Sequence, residues 1–170
     1  MHLREVFSQT HQALNTAGVD HALIGGMAMS LWGLARATGD VDYLIEAEHR
    51  EIATSSLVAI GYIVTNSNAE IVQLSGAGRV DFLCASRALS RQMLADAKIL
   101  PNLGLKYLLA EDLIGLKIQA YTNDPRRSLQ DKADIQNLMR KNPNLDMQRI
   151  KKYADMFHAW ETVKNLGGDL

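Results

Sequence analysis

Apolar residues along the chain recur first with helical spacing and then in short strand-like runs. A helical face over residues 3–17 stops before Gly18, and the apolar run at residues 21–24 ends at Gly25-Gly26. The same reading predicts helices over residues 27–35, 48–59 and 87–95, and strands over residues 40–46, 61–65, 70–74 and 79–84. Weaker strands are expected within residues 98–109, where Pro101 and Gly104 interrupt the pattern.

The pattern changes near residue 110, after which helical spacing dominates. It predicts helices over residues 111–122, 128–141 and 145–165. The fold class expected is therefore α+β, with a small mixed β-sheet flanked by helices and followed by a C-terminal helical section. We expect residues 1–109 to form the α/β core and residues 110–170 to form the helical section that packs on it.

Composition narrows the class of protein only modestly. The chain has 170 residues, of which 47% are hydrophobic and 22% charged, so it can bury a core without disulfides or metals. Its one cysteine and scattered histidines argue against a structural zinc site. A formal net charge of −1 does not indicate a nucleic-acid binder. With neither a signal-peptide pattern nor a membrane-spanning run, we expect a cytoplasmic protein without a membrane partner.

Two acidic residues, Asp40 and Asp42, lie one residue apart on a predicted strand and so project from the same face. Asp81 has the same position relative to its apolar neighbours on a later strand. If those strands are adjacent, three carboxylates converge, which suits two divalent cations about 3.5–4 Å apart. Taken singly, each acid is better explained by a solvated strand face, which is the default for acidic residues.

The glycine pair at Gly25-Gly26 lies where a predicted strand turns into a helix. Without Cβ atoms the backbone admits phosphate oxygens closely, and a helix N-terminus favours anions. Taken alone, the pair is better explained by a simple tight turn. Neither a dinucleotide fingerprint nor a Walker loop occurs in the sequence.

The order of these motifs is more informative than any one of them. A strand, Gly25-Gly26, a helix, Asp40-x-Asp42 and a later Asp81 together resemble the nucleotidyltransferase superfamily that shares its catalytic domain with DNA polymerase β. The resemblance extends over roughly residues 20–140. Two further phrases, Arg36-x-Thr38-x-Asp40 and a lysine helix followed by Arg127-x-x-x-Asp131-x-x-Asp134, are similar to the prokaryotic branch of AbiEii-type toxins.

This resemblance implies magnesium-dependent transfer of a nucleoside monophosphate from a nucleoside triphosphate to an acceptor hydroxyl. Asp40 and Asp42 would hold two magnesium ions, and Asp81 would bind one of them and act as base. The residues implied in nucleotide binding are Gly25, Gly26, Arg36, Thr38 and Lys117. Acceptors in the superfamily include tRNA ends, antibiotics and proteins, and the toxin branch implies an antitoxin protein as partner.

Several alternatives remain open in the sequence. Lys117 either contacts phosphate or extends along the edge of the core, and Arg127, Asp131 and Asp134 either order a helical lid or form surface salt bridges. The late basic residues form either an RNA-facing stripe or ordinary solvated helix faces. Met156, Phe157 and Trp160 either pack on the domain or bind a second protomer or an antitoxin. A catalytically silent module of the same fold, acting in binding or regulation, is the main alternative function.

Overall fold

A single mixed β-sheet organises the first part of the chain. The computed structural model describes residues 3–35 and 37–168. The strands of these residues are β1 (His21–Leu23), β2 (Asp40–Glu46), β3 (Ile63–Ser67), β4 (Ile71–Ser75), β5 (Arg79–Ala85), β6 (Lys98–Leu100) and β7 (Leu105–Tyr107). Their order is β3-β4-β5-β2-β1-β7-β6. The β2–β5 and β1–β7 pairs are parallel and the remaining pairs antiparallel, so the predicted mixed sheet is confirmed.

Along the chain, helices precede the first strand, connect several of the strands and follow the last strand. They are α1 (Leu3–Thr16), α2 (Gly25–Leu31), α3 (Arg50–Val58), α4 (Ala88–Ala95), α5 (Ala110–Asn123), α6 (Ser128–Lys141), α7 (Met147–Met156) and α8 (Trp160–Gly167). Short 3-10 turns at Ala47–His49 and Pro125–Arg127 lead into α3 and α6. Among the described residues, none of these helices combines the length and apolarity needed to cross a bilayer.

The chain folds into two compact units. The first contains the described residues of 3–28 and 37–108, and the second contains Met29–Ala35 together with the described residues from Leu109 onward. The helix α2 therefore begins in the first unit and ends in the second. Each unit has its own buried apolar core.

The core of the first unit forms around the central strand β2. Its alternation buries Val41, Tyr43 and Ile45 completely and leaves Asp40 and Asp42 half-buried on the opposite face. The Tyr43 hydroxyl lies 3.0 Å from the Thr10 hydroxyl of α1, so this buried phenol keeps a hydrogen-bond partner. A tightly packed β2 thus holds the backbone beneath the two acids in place.

The second unit packs α6 and α7 against α5. At Gly115 of α5 a Cβ would lie 2.7 Å from the Tyr153 ring of α7, so glycine is required for the two helices to approach this closely. Asp112 is fully buried beside this contact and accepts hydrogen bonds from Arg149 at 2.6 and 2.9 Å, and from the Tyr153 hydroxyl. A buried ion pair therefore joins α5 to α7.

Two helix ends differ from the sequence prediction. The helix expected over residues 27–35 ends at Leu31, because Gly33 adopts a left-handed conformation at φ 83° and the Leu34 N–H bonds back to the Met29 carbonyl. The prediction of one helix over residues 145–165 is wrong, because this segment forms two helices, α7 and α8. There His158 takes the left-handed position at φ 52°, and the Ala159 N–H bonds to the Ala154 carbonyl.

Candidate functional site

Adjacent parallel strands bring the three predicted carboxylates together. In the register of β2 and β5, Asp42 lies directly opposite Asp81, and Asp40 lies opposite Arg79. One carboxylate oxygen from each of Asp40, Asp42 and Asp81 lies within 4.8 Å of the other two. All three side chains are half-buried, so the cluster is open to a ligand on one side.

The electrostatics of this cluster favour a bound cation. Ionised carboxylates at such separations repel each other by about 3 kcal/mol per pair at an effective dielectric constant near 20. Arg79 approaches Asp40 at 3.7 Å, but its side chain is 69% exposed and so offsets little of that repulsion. Magnesium prefers carboxylate oxygens combined with phosphate oxygens. The donor set of Asp40, Asp42 and Asp81 fits such an ion.

Gly25 lies against the acidic cluster itself. Its φ of 60° is in the left-handed region, and a Cβ there would lie 1.9 Å from Asp42 Oδ2. Any side chain at this position would occupy the place of the Asp42 carboxylate. The glycine is therefore needed both for the turn at the end of β1 and for the position of a candidate metal ligand.

Gly26 makes room for Thr38, which in turn contacts Asp40. A Cβ on Gly26 would lie 2.7 Å from the Thr38 Cβ. The Thr38 hydroxyl donates to Asp40 Oδ1 at 2.8 Å, so in this structure it orients a carboxylate. Thr38 as a nucleotide contact stays a prediction. Arg36, predicted beside it, lies outside the described residues.

Lys117 lies in the second unit and is held by two acids. Its Nζ atom is 2.7 Å from Asp131 Oδ1 and 2.8 Å from Asp134 Oδ2, and its side chain is 12% exposed. Arg127 Nε donates to the other Asp131 oxygen at 3.1 Å. Because Asp131 and Asp134 are buried, the interpretation of this segment as a surface salt bridge is wrong for these two acids. The predicted contact between Lys117 and phosphate stays a prediction.

Sequence reasoning missed a residue in direct contact with the cluster. Gln73 of β4 lies opposite Asp81 and donates from Nε2 to Asp81 Oδ2 at 3.0 Å. The only signal for it in the sequence is a polar residue within the apolar run Ile71-Val72-Gln73-Leu74. Its partner could not be deduced, because the register of antiparallel strands depends on the turn between them.

Comparison with solved structures identifies the fold. No model of a known protein family matches the chain. No curated protein matches it either. The crystal structure of ANT(2″)-Ia in complex with adenylyl-2″-tobramycin is similar with a TM-score of 0.63 and 13% identity, over 91% of this chain and 95% of that one.

Two further structures agree with this likeness. The solution structure of the antibiotic-resistance factor ANT(2″)-Ia has a TM-score of 0.60 and 13% identity, over 96% of this chain and 88% of that one. An antigenic nucleotidyltransferase-like protein from Paracoccidioides brasiliensis has a TM-score of 0.53 and 16% identity, over 94% and 90% of the two chains. At these identities the likeness concerns the fold, which is nucleotidyltransferase-like as the sequence predicted.

Proposed function

We propose that this protein is a metal-dependent nucleotidyltransferase that moves a nucleoside monophosphate from a nucleoside triphosphate to an acceptor hydroxyl. The observation that carries the proposal is the convergence of Asp40, Asp42 and Asp81 beside Gly25 on a nucleotidyltransferase-like fold. In the reaction, the acceptor oxygen forms a bond to the α-phosphorus. The bond from that phosphorus to the bridging oxygen breaks, and pyrophosphate leaves.

The three acids divide between two roles in this proposal. Asp40 and Asp42 would hold two magnesium ions, and Asp81 would hold one and accept the proton of the acceptor hydroxyl. When bound, these ions would neutralise the carboxylates and phosphate oxygens and stabilise the charge of the transition state. Thr38 holds one Asp40 oxygen in place through its hydroxyl. We assign nucleotide binding to Gly25, Gly26, Arg36, Thr38 and Lys117 on the sequence resemblance.

Radiolabelled transfer tests the proposal. The protein is incubated with magnesium and each α-labelled nucleoside triphosphate, with tRNA, protein and an aminoglycoside as acceptors. The aminoglycoside is included because the similar ANT(2″)-Ia structure holds an adenylylated one. We expect magnesium-dependent transfer that falls at least about 100-fold in Asp42→Asn, because electrostatic stabilisation of the transition state is worth several kcal/mol.

Asp20→Asn is the matched control, since Asp20 is a salt-bridged acid of the same unit that pairs with Lys106. It should keep wild-type transfer. Transfer that survives Asp42→Asn would contradict the metal role of the acidic cluster. Nucleotide binding without transfer to any acceptor would instead support the catalytically silent module.

The biological role that we propose for this transferase is that of a toxin. This role rests on the sequence motifs around Arg36 and Lys117. Induced expression of the wild-type chain in a bacterial host should arrest growth, whereas Asp42→Asn should not. Growth that is unaffected by an enzymatically active wild-type protein would exclude the toxin role and leave the transferase activity standing. An antitoxin partner would be recognised as a protein that restores growth on co-expression.

A further inference from the structure

A row of polar side chains crosses four adjacent strands and ends at the acidic cluster. Asn66 of β3 lies opposite Gln73 of β4, Gln73 lies opposite Asp81 of β5, and Asp81 lies opposite Asp42 of β2. Residues directly opposite each other across paired strands project from the same face of a sheet. The four side chains therefore share the face on which the carboxylates converge.

Along this row, each hydrogen bond is donated toward Asp81. Asn66 Nδ2 donates to Gln73 Oε1 at 3.0 Å, and Gln73 Nε2 donates to Asp81 Oδ2 at 3.0 Å. An ionised carboxylate only accepts hydrogen bonds, so Gln73 must present its NH₂ group to Asp81 and its oxygen to Asn66. The hydrogen bond to Asp81 thus fixes the orientation of both amides.

A β-bulge in the edge strand places Asn66 in this row. The register of β3 against β4 shifts between Val64 and Asn66, which leaves Thr65 as the extra residue. The Thr65 hydroxyl donates to the Gln73 carbonyl at 3.1 Å, so both residues of the bulge contact Gln73. Bulges re-aim side chains and are common next to active sites.

An amide suits this position better than a cationic side chain would. It donates to Asp81 and fixes its rotamer, but it adds no positive charge that would compete with a bound cation. Hydrogen-bond partners of ligating carboxylates commonly change metal affinity by 10–100-fold when removed. Gln73 and Asp81 are both half-buried, so water competes only partly with their hydrogen bond.

From this geometry we propose that Gln73, oriented by Asn66, is a positioning residue that holds the Asp81 carboxylate ready for a divalent cation. The inference rests on the proposed function, because it assigns Asp81 to the metal site. It adds Gln73 and Asn66 to the candidate site, although neither residue belongs to the sequence motifs that predicted this site.

Manganese affinity, measured by electron paramagnetic resonance with α,β-methylene-ATP present, tests the inference without depending on turnover. Gln73→Met keeps the length of the side chain but removes the donor, and should weaken Mn²⁺ binding about tenfold. Gln92→Met is the matched control, because Gln92 also donates to an aspartate, Asp96, at 2.7 Å, but on α4 outside the cluster. The control should bind Mn²⁺ as the wild type does.

Two further variants separate positioning from a general structural effect. In an Asp81→Ala background, where no side-chain oxygen remains to accept from Gln73, Gln73→Met should change Mn²⁺ affinity by less than twofold. An equal loss in both backgrounds would overturn the inference. Asn66→Ala alters an exposed residue and should weaken binding by a smaller factor than Gln73→Met; an unchanged affinity would remove Asn66 from the assignment.

The outcomes also distinguish this inference from the proposed function. A wild-type protein that binds Mn²⁺ no better than Asp42→Asn would refute the metal site, and the role of Gln73 with it. A wild type that binds Mn²⁺ well, together with a folded Gln73→Met variant of equal affinity, would overturn the inference alone. Circular dichroism melts verify that each variant is folded.

Discussion

Gly25 has no Cβ, and both its backbone conformation and the position of the Asp42 carboxylate, a candidate metal ligand, depend on that absence. The residue has φ 60°, and a Cβ would lie 1.9 Å from Asp42 Oδ2. Gly18, in the same unit, has φ 69° but no atom within 4 Å of the position its Cβ would take. The two glycines therefore share a positive φ, which glycine adopts without strain, and differ in the contact with the acid.

Alanine at these two glycines should separate the effects. We expect Gly18→Ala to lose about 1–2 kcal/mol in the free energy of unfolding, measured with urea, because alanine is strained at positive φ. Gly25→Ala should lose more, because its Cβ would also lie 1.9 Å from Asp42 Oδ2. Only Gly25→Ala should also lose Mn²⁺ affinity, by at least about tenfold, since it must displace Asp42. Equal Mn²⁺ affinities in the two variants would contradict the proposed role of Asp42.

The residues of the candidate site differed in how readily the sequence revealed them. Strand alternation placed Asp40, Asp42 and Asp81 correctly on one face, because it is a local property of the backbone. The bond from Gln73 to Asp81 depends on strand register. The contact between Gly26 and Thr38 depends on the path of the loop between α2 and β2, which brings Thr38 back to the start of α2. Neither is encoded by nearby residues alone.

At the scale of elements, the two helix ends that the sequence predicted wrongly, those of α2 and α7, both lie beside a residue in the left-handed conformation. The end of α2 falls beside Gly33, whose left-handed φ is readily adopted by glycine. The end of α7 uses the same pattern of hydrogen bonds with His158 in the left-handed position. A histidine gives little warning of a helix end, so the sequence predicted one helix across residues 145–165.

Glycine at position 158 should therefore stabilise the protein. His158 holds φ 52°, which costs a side-chain-bearing residue energy that glycine avoids. We expect His158→Gly to raise the free energy of unfolding by about 1 kcal/mol in urea denaturation. Lys152→Gly, at an exposed position inside α7, should lower it by about 1 kcal/mol. The same sign for both variants would show that His158 is not strained.

The ion pair between α5 and α7 links stability to pH. Burial raises the pKa of Asp112, while the hydrogen bonds from Arg149 and Tyr153 act in the opposite direction and lower it. Arg149 is the cationic partner of this fully buried carboxylate. Without Arg149, the ionised form of Asp112 would lose its main compensation, and its pKa in the folded protein would rise further.

Arg149→Met should therefore destabilise the protein most at neutral pH. We expect a loss of about 3–5 kcal/mol near pH 7, because an unpaired buried charge remains. A folded-state pKa above the unfolded value means that the contribution of Asp112 is fully present below the unfolded pKa, near 4, and is lost as pH rises. The deficit of Arg149→Met should thus shrink as pH falls toward 4.

Urea denaturation of wild type and variant at matched pH values measures this deficit. Arg126→Met is the control, since Arg126 pairs with Asp124 at the surface with its own side chain 90% exposed. Its effect should be small and nearly independent of pH, because an exposed ion pair contributes little to stability. A deficit for Arg149→Met that is constant between pH 4 and 7 would mean that the residue acts through packing alone.

For the molecule as a whole, ion pairs within the protein affect whether its basic residues can bind an RNA acceptor. The formal net charge is −1, and eight basic residues lie between positions 126 and 152. Four of these form ion pairs with aspartates: Arg126 with Asp124, Arg127 with Asp131, Arg149 with Asp112 and Lys151 with Asp155. The predicted RNA-facing stripe would therefore have to use a helical section whose positive charge is half compensated within the protein.

Binding to RNA should accordingly be weak and only moderately dependent on salt. Each phosphate contact contributes about −0.7 to the slope of log affinity against log salt for single-stranded RNA. The four cations that form no ion pair within residues 3–35 and 37–168 therefore give about −3. Filter binding of an unstructured single-stranded RNA between 50 and 200 mM salt measures this slope. The double variant Asp124→Asn, Asp155→Asn releases Arg126 and Lys151 and should steepen the slope by about 1.4. A wild-type slope of −6 or steeper would show that the paired cations exchange their aspartates for phosphate, which would favour a nucleic-acid acceptor over a small molecule.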